Sequence, residues 1–287
     1  MIRRIGFVGT GIMGKPLASR LLRAGYDVAV YNRTSARAAE LVAQGARGAT
    51  TPRDAADGCD AFITMLPEAP DVEGVLFGAG GAVAALRPGA VHIDMSTIAP
   101  AAARTIARRL AERGVDALDA PVSGGEVGAI AGTLAIMVGG GEAPFDRARP
   151  VLEAMSTNVV RVGGSGSGQV AKACNQLIVV ATIEAVAEAL ALARALGADP
   201  GRVRDAMLAG FASSRILEVH GRRMIDADYG PGGRARLHLK DRDVVAEAAA
   251  AAHIELPVAT AAFARIATLV EQGGGDLDQS ALYTLFG

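Results

Sequence analysis

The sequence predicts an α/β fold in two parts: a doubly wound sheet over residues 1–163 and an all-helical domain over 164–287. A long helix over 168–196 joins them. Three observations predict it. Short apolar, β-branched runs alternate with amphipathic stretches as far as Val162, the pattern of strand–helix–strand units around a parallel sheet. The run Gly163-Gly164-Ser165-Gly166-Ser167-Gly168 then interrupts the alternation. Beyond it, Gln169 to Leu196 is alanine-rich and free of glycine and proline, and no later segment reads as a strand.

Taken in order, Ile5–Val8 reads as the first strand, followed by a glycine turn and a helix to about Ala24, with Gly25 as its stop. Asp27–Tyr31 is a strand, and Ser35–Ala43 a helix that Thr34 or Ser35 can cap. Ala61–Met65 and Val91–Met95 are strands; Ala99–Arg113 is a helix that ends at Gly114. Asp116–Asp119, Leu134–Val138 and Val159–Val162 complete the strands. A helix of about 28 residues would run about 42 Å, long enough to leave one domain and enter another. Gly197-Ala198-Asp199-Pro200 ends it, and helices are expected over Arg202–Ala209, Ser213–Arg223, Leu239–His253, Val258–Gln272 and Gln279–Phe286.

With 287 residues and 51% hydrophobic content the chain can bury a sizeable core. Its net charge of −1 implies no nucleic-acid partner. The longest apolar run, near Val179–Leu196, is broken by Glu184, Glu188 and Arg194, so no membrane partner is expected. Met1-Ile2-Arg3-Arg4 leads directly into the first strand, too short for a signal peptide. Cys59 and Cys174 lack metal spacing and suggest a reducing, cytoplasmic setting with no metal. His92, His220, His238 and His253 are scattered and read as surface or packing residues.

Gly9-Thr10-Gly11-Ile12-Met13-Gly14 has the context that a dinucleotide loop requires, a strand before it and a helix after it. The glycines permit a tight turn and close approach of backbone N–H groups to a pyrophosphate, and the helix N-terminus adds positive potential. Where a ribose 2′-hydroxyl reader carries Asp or Glu, this chain has Asn32-Arg33-Thr34. Arg33 can pair with a 2′-phosphate, with Asn32 and Thr34 donating to it. NADP(H) is therefore the expected cofactor, NAD(H) the alternative. Met65-Leu66-Pro67 and Thr97 lie at carboxyl ends of strands and are expected to wall the nicotinamide ribose; ordinary loop residues at strand ends would look the same.

Three segments carry candidate chemistry. Ser123-Gly124-Gly125 offers a hydroxyl and successive backbone N–H groups to a small carboxylate. Lys172 and Asn175, three apart on a helix, share a face. Lys240 opens a later helix. A lysine has a free pKa of about 10.4, and burial or a nearby cation brings it closer to neutrality. Beside a nicotinamide, Lys172 would protonate a carbonyl oxygen as hydride arrives, or act as base in reverse. A solvent-facing lysine is the commoner fate; the apolar neighbours Val170, Ala171, Ala173, Leu177 and Ile178 suggest a largely buried helix instead.

These motifs, with Asp119-Ala120-Pro121-Val122-Ser123-Gly124-Gly125, Gly132-Thr133-Leu134, Gly168 to Asn175 and Lys240-Asp241, run in order along nearly the whole chain. Together they resemble the β-hydroxyacid dehydrogenase family, of 3-hydroxyisobutyrate dehydrogenase type. The resemblance implies an N-terminal Rossmann domain, a helical C-terminal domain, and a homodimer or homotetramer. It further implies Lys172 as catalytic lysine, Asn175 beside it, Ser123, Gly124 and Gly125 as substrate-binding residues, and Lys240 on the nicotinamide and substrate side. Gly210 to Gly221 and Asp278-Gln279-Ser280-Ala281-Leu282 are most similar to the branch that reduces tartronate semialdehyde to D-glycerate. Members acting on 3-hydroxyisobutyrate or succinic semialdehyde are siblings. Two departures stand out: Pro231-Gly232-Gly233 where relatives often carry phenylalanine, and Gln279 where they usually carry histidine. Imine reductases and non-catalytic NADP-binding relatives generally lack the lysine kept here.

Overall fold

The computed structural model describes residues 1–230 and 232–287; Pro231, in the departing segment, lies outside them. Two compact units are present, Met1–Lys172 and Ala173–Gly287.

The first unit is a nine-stranded sheet with helices between the strands. In chain order it comprises β1 (Arg4–Val8), α1 (Gly14–Arg23), β2 (Asp27–Tyr31), α2 (Ala39–Ala43), β3 (Arg47–Gly48), α3 (Pro52–Ala56), β4 (Ala61–Thr64), α4 (Ala69–Phe77), β5 (Val91–Asp94) and α5 (Pro100–Ala111). There follow β6 (Asp116–Asp119), β7 (Val122–Ser123), α6 (Gly125–Ala131), β8 (Ala135–Gly139), α7 (Glu142–Met155) and β9 (Asn158–Gly163). The spatial order is β3-β2-β1-β4-β5-β6-β8-β7, with β9 on β8. Strands β1 to β6 pair in parallel, so the chain winds one way from β1 and the other way from β4. Ligands bind at the carboxyl ends of strands beside such a switch.

Each central strand is buried on both faces, which is why these strands are nearly unbroken apolar runs. Ile5, Phe7, Val30, Ile63 and Ile93 pack with Leu17 and Leu21 of α1 on one face. Val8 and Phe62 pack with Val72, Leu76, Ile106 and Leu110 on the other.

Two expectations change. The sheet is not wholly parallel: β8 runs antiparallel to β6 and to β7. The short β7 turns back on β8 after Pro121, pairing Val122 with Ile136 and Ser123 with Ala135. The segment from Ser35 opens as a 3-10 turn over Ser35–Ala38, without a side-chain cap from Thr34. Asn32 Nδ2 donates to the Thr34 carbonyl instead, at 3.0 Å, so a local carboxamide shapes the turn.

The long helix α8 spans Ser167–Ala195, 29 residues. The second unit takes α8 from Ala173 on, with α9 (Pro200–Leu208), α10 (Arg215–Ile225), α11 (Leu237–Ala252) and α12 (Pro257–Glu271). The last segment, Gln279–Phe286, is a 3-10 helix. Asp199 caps α9 and Ser214 caps α10 through side-chain oxygens. Among the described residues after Gly163, strand pairing is limited to one bridge between Arg234 and Asp278.

By length and composition alone α8 could cross a membrane. Its Val180, Ile183, Ala187 and Leu190, at helical spacing, form one wall of the second unit's core with Leu217, Phe263 and Ile266. Glu184 on the same helix accepts a hydrogen bond from Arg265 Nε at 2.8 Å. Those contacts make α8 a core helix of its unit. Its burial is one-sided: Val170 and Ile178, expected inside, are 43% and 62% exposed. An amphipathic stripe covers only part of a helix circumference.

Candidate active site

The glycine loop lies where β1 and β4 diverge. Gly9 has φ +98°, and a Cβ there would come within 2.1 Å of the Met65 carbonyl oxygen. A Cβ on Gly14 would meet the Gly9 carbonyl at 1.8 Å. Both glycines are therefore required by backbone packing. Gly11 differs, because a Cβ there meets nothing within 4 Å. Its glycine leaves the loop bare on an open side, as a close-approaching pyrophosphate needs. Ile12 is exposed and Met13 immediately precedes α1. Thr10 is buried, yet its hydroxyl has no hydrogen-bond partner among the described residues. A bare loop, an orphaned hydroxyl and the start of a ten-residue helix fit a bound dinucleotide phosphate.

Asn32, at the end of β2, spends much of its carboxamide internally. Its Oδ1 accepts from Thr10 N–H at 3.1 Å, and its Nδ2 donates to Thr34. It therefore ties the strand end to the glycine loop. Arg33 and Thr34 are exposed beside it, and Arg33 forms no ion pair among the described residues. Glu40 is occupied by Lys15 at 2.8 Å.

Met65-Leu66-Pro67 follows β4 and Ser96-Thr97 follows β5. The two loops are tied together, since Leu66 N–H donates to Ser96 Oγ at 2.9 Å. Below them lies a buried polar cluster that the sequence did not reveal. Thr64 Oγ1 donates to Asp94 Oδ1 at 2.8 Å and sits 3.0 Å from His92 Nε2. Asp94 Oδ1 also accepts Ser96 N–H at 3.1 Å. Burial pushes the His92 imidazole down to about 3 and the Asp94 carboxyl up to about 6. His92 is thus a neutral packing residue, as its isolation in the sequence suggested.

Ser123 ends β7, half-buried, and Gly124 and Gly125 follow with φ +130° and +62°. These positive values turn the chain sharply into α6 and leave its first peptides exposed. Lys172 is in the second turn of α8 and is 7% exposed. The start of that helix is pinned to β6: Asp119 accepts Gly166 N–H at 2.7 Å on one oxygen and Gln169 N–H at 2.9 Å on the other. The carboxyl ends of β1, β4, β5 and β6 thereby carry the glycine loop, Met65–Pro67, Thr97 and the helix bearing Lys172.

Asn175 and Lys240 belong to the second unit. Asn175 Nδ2 donates to Gln176 Oε1 at 2.8 Å, and Gln176 Nε2 donates to Asp241 Oδ2. His238 Nδ1 lies 3.1 Å from that same oxygen. Gln279 then bridges His238 and His220. Lys240 is half-buried in the first turn of α11, between His238 and Asp241. Asp278 closes the chain of contacts. It accepts Gly232, Gly233 and Ser280 N–H groups and the Ser280 hydroxyl, and pairs with Arg223. Although burial opposes its charge, bonds from His220 and Ser280 hold its carboxyl well below the usual range. Gln176, Asp278 and both histidines were invisible as a group in the sequence, because a single polar residue in a helical stretch carries no partner information.

Comparison with known proteins places the chain in a family. Residues 4–164 match the NAD-binding domain of 6-phosphogluconate dehydrogenase. Residues 166–286 match the NAD-binding domain of NADP-dependent 3-hydroxyisobutyrate dehydrogenase. The chain is 47% identical over 279 residues to 2-hydroxy-3-oxopropionate reductase of Escherichia coli (strain K12), covering 97% of this chain and 95% of that one. It is 38% identical over 292 residues to the NAD-dependent L-serine dehydrogenase of Pseudomonas aeruginosa, covering 99% and 98%. Among solved structures, Mycobacterium tuberculosis 3-hydroxyisobutyrate dehydrogenase with L-serine is similar at TM-score 0.91 and 33% identity, over 99% of each chain. The chain therefore belongs to the β-hydroxyacid dehydrogenase family and is an oxidoreductase that uses a nicotinamide cofactor.

Proposed function

We propose that the protein reduces tartronate semialdehyde to D-glycerate, with NADP(H) preferred over NAD(H). The observation that carries this reading is the nearly full-length 47% identity to 2-hydroxy-3-oxopropionate reductase. Lys172, buried on a helix anchored to the sheet, supports it.

The roles follow from the residues. The glycine loop, with Thr10 and Met13, would hold the pyrophosphate, and Met65, Leu66, Pro67 and Thr97 the nicotinamide ribose. Arg33 and Thr34 would take the 2′-phosphate, while Asn32 keeps the loop in place. When bound, the reduced nicotinamide supplies a hydride. Ser123 and the Gly124 and Gly125 N–H groups would hold the substrate carboxylate, which fixes the aldehyde at the other end. Lys172 would bond the aldehyde oxygen, stabilise the negative charge that develops there and deliver the proton. Asn175 and Lys240 would complete the substrate side. A cytoplasmic homodimer or homotetramer is the assembly proposed; light scattering tests its size.

A second reading, oxidation of a β-hydroxy acid such as L-serine or 3-hydroxyisobutyrate, is favoured by the similarity to the L-serine dehydrogenase and to the structure holding L-serine. The same lysine would act as base. Steady-state rates on tartronate, methylmalonate and succinic semialdehydes and on L-serine, each with both cofactors, separate the readings. The three-carbon aldehyde with NADPH should give the highest kcat/KM. A higher value for L-serine with NAD would replace the proposal.

A further inference from the structure

We infer that Gln169 is a positioning residue that holds Thr97 in register with Lys172. Its side chain is fully buried. Its Oε1 accepts the Ile98 N–H at 3.1 Å, and its Nε2 donates to the Ser96 carbonyl at 2.7 Å. Those two groups belong to the peptides immediately before and after Thr97. One carboxamide therefore grips both peptide planes around a single residue, as a neighbouring strand would.

The other end of the link is equally fixed. The backbone N–H of Gln169 is held by Asp119, which also holds Gly166. Lys172 follows three residues later, on the same face of α8. The path from Thr97 to Lys172 thus runs through one buried carboxamide and one helical turn. Ser96 extends the grip to Leu66 through its hydroxyl. A surface loop at a strand end is ordinarily the mobile part of an α/β site. Here it is bound to the helix carrying the proposed acid, which suits a reaction that needs the hydride acceptor and proton donor aligned at once.

The inference rests on Lys172 acting on the substrate, and its test separates the two. Gln169→Met keeps the bulk of the side chain and removes both bonds. We expect its kcat to fall about 10- to 100-fold, as displacement by an ångström does elsewhere, with KM and NADPH affinity changed less than about 3-fold. In a double-mutant cycle with Lys172→Ala, the Gln169→Met loss should vanish, because a positioning residue has nothing left to position. Amide hydrogen exchange at Ile98 should accelerate in Gln169→Met. If that variant does not fold, Gln169→Asn, which keeps both polar groups one methylene short, takes its place.

A folded variant with unchanged kcat, or losses that add fully to those of Lys172→Ala, would overturn the role of Gln169. If Lys172→Ala itself retained turnover, the lysine reading would fail instead, while the exchange rate at Ile98 would still report the clamp. Kinetics are run on whichever member of the substrate panel the unmodified protein turns over, so an error about the substrate leaves the test intact.

Discussion

Asp94 and Asp119 are register partners at the carboxyl ends of adjacent parallel strands, yet their carboxylates are satisfied in opposite ways. Asp119 accepts a backbone N–H on each oxygen. Asp94 takes Thr64 and Ser96 on Oδ1, while its buried Oδ2 has no partner among the described residues. Burial first, and then the charge of Asp119, push Asp94 up to about 6.

The sign of the resulting pH dependence follows from linkage. A carboxyl whose folded pKa is raised favours folding while protonated; that contribution is full below the unfolded value near 3.8 and is lost as pH rises through about 6. His92, pushed down to about 3, acts oppositely, and its contribution is full above its ordinary value and lost as pH falls. Between pH 4 and 6 the two oppose each other. Asp94→Asn keeps an acceptor for Thr64 and Ser96 and removes the ionisation. At pH 7 it should match or exceed the parent's stability by on the order of 2–3 kcal/mol at most, with the difference disappearing near pH 4. Denaturant melts at the two pH values measure this. A variant less stable at pH 7 would show that the charge is tolerated.

Removing the lysine separates chemistry from binding. Lys172→Ala should lower kcat by about 100- to 10,000-fold, the usual worth of a positioned acid or base. NADPH binding, read by fluorescence titration, should stay within a few-fold. Lys172→Arg should not restore the rate, because a guanidinium does not give up its proton near neutral pH.

Gly11 and Gly14 make contrasting demands on the same motif. Gly14→Ala would force a methyl against the Gly9 carbonyl, so it should destabilise the first unit by about 1–3 kcal/mol or more. Gly11→Ala has open space and should melt like the parent while losing about 10-fold or more in cofactor affinity. Thermal melts with and without NADPH distinguish the two. Equal stability losses would show that both glycines serve the fold alone.

The cofactor proposal depends on Arg33. Arg33→Ala should weaken NADPH binding about 10- to 100-fold, the worth of one charge-assisted contact, and leave NADH nearly unchanged. An equal loss for both cofactors would place that arginine away from the 2′-phosphate.

Particular residues show why the sequence was readable in some places only. The glycine turn after the first strand and the switch from strand alternation to continuous helix are contiguous patterns, and short-range geometry dictates them. Thr34 illustrates the opposite: a residue type suited to capping makes no side-chain cap, while its carbonyl takes the carboxamide of Asn32 two positions away.

The amino-acid order by itself determined the α/β fold with its helical C-terminal part, the glycine turn after the first strand and the family to which the chain belongs, because each is written in local spacing of residues. Only the tertiary structure decided that β8 runs antiparallel, that Asp94 Oδ2 is buried with no partner among the described residues, and that Gln169 meets Ile98 from 71 residues away. Hydrogen bonds and burial between distant segments depend on which groups the completed sheet leaves needing a partner, and that requirement exists only once the chain has folded.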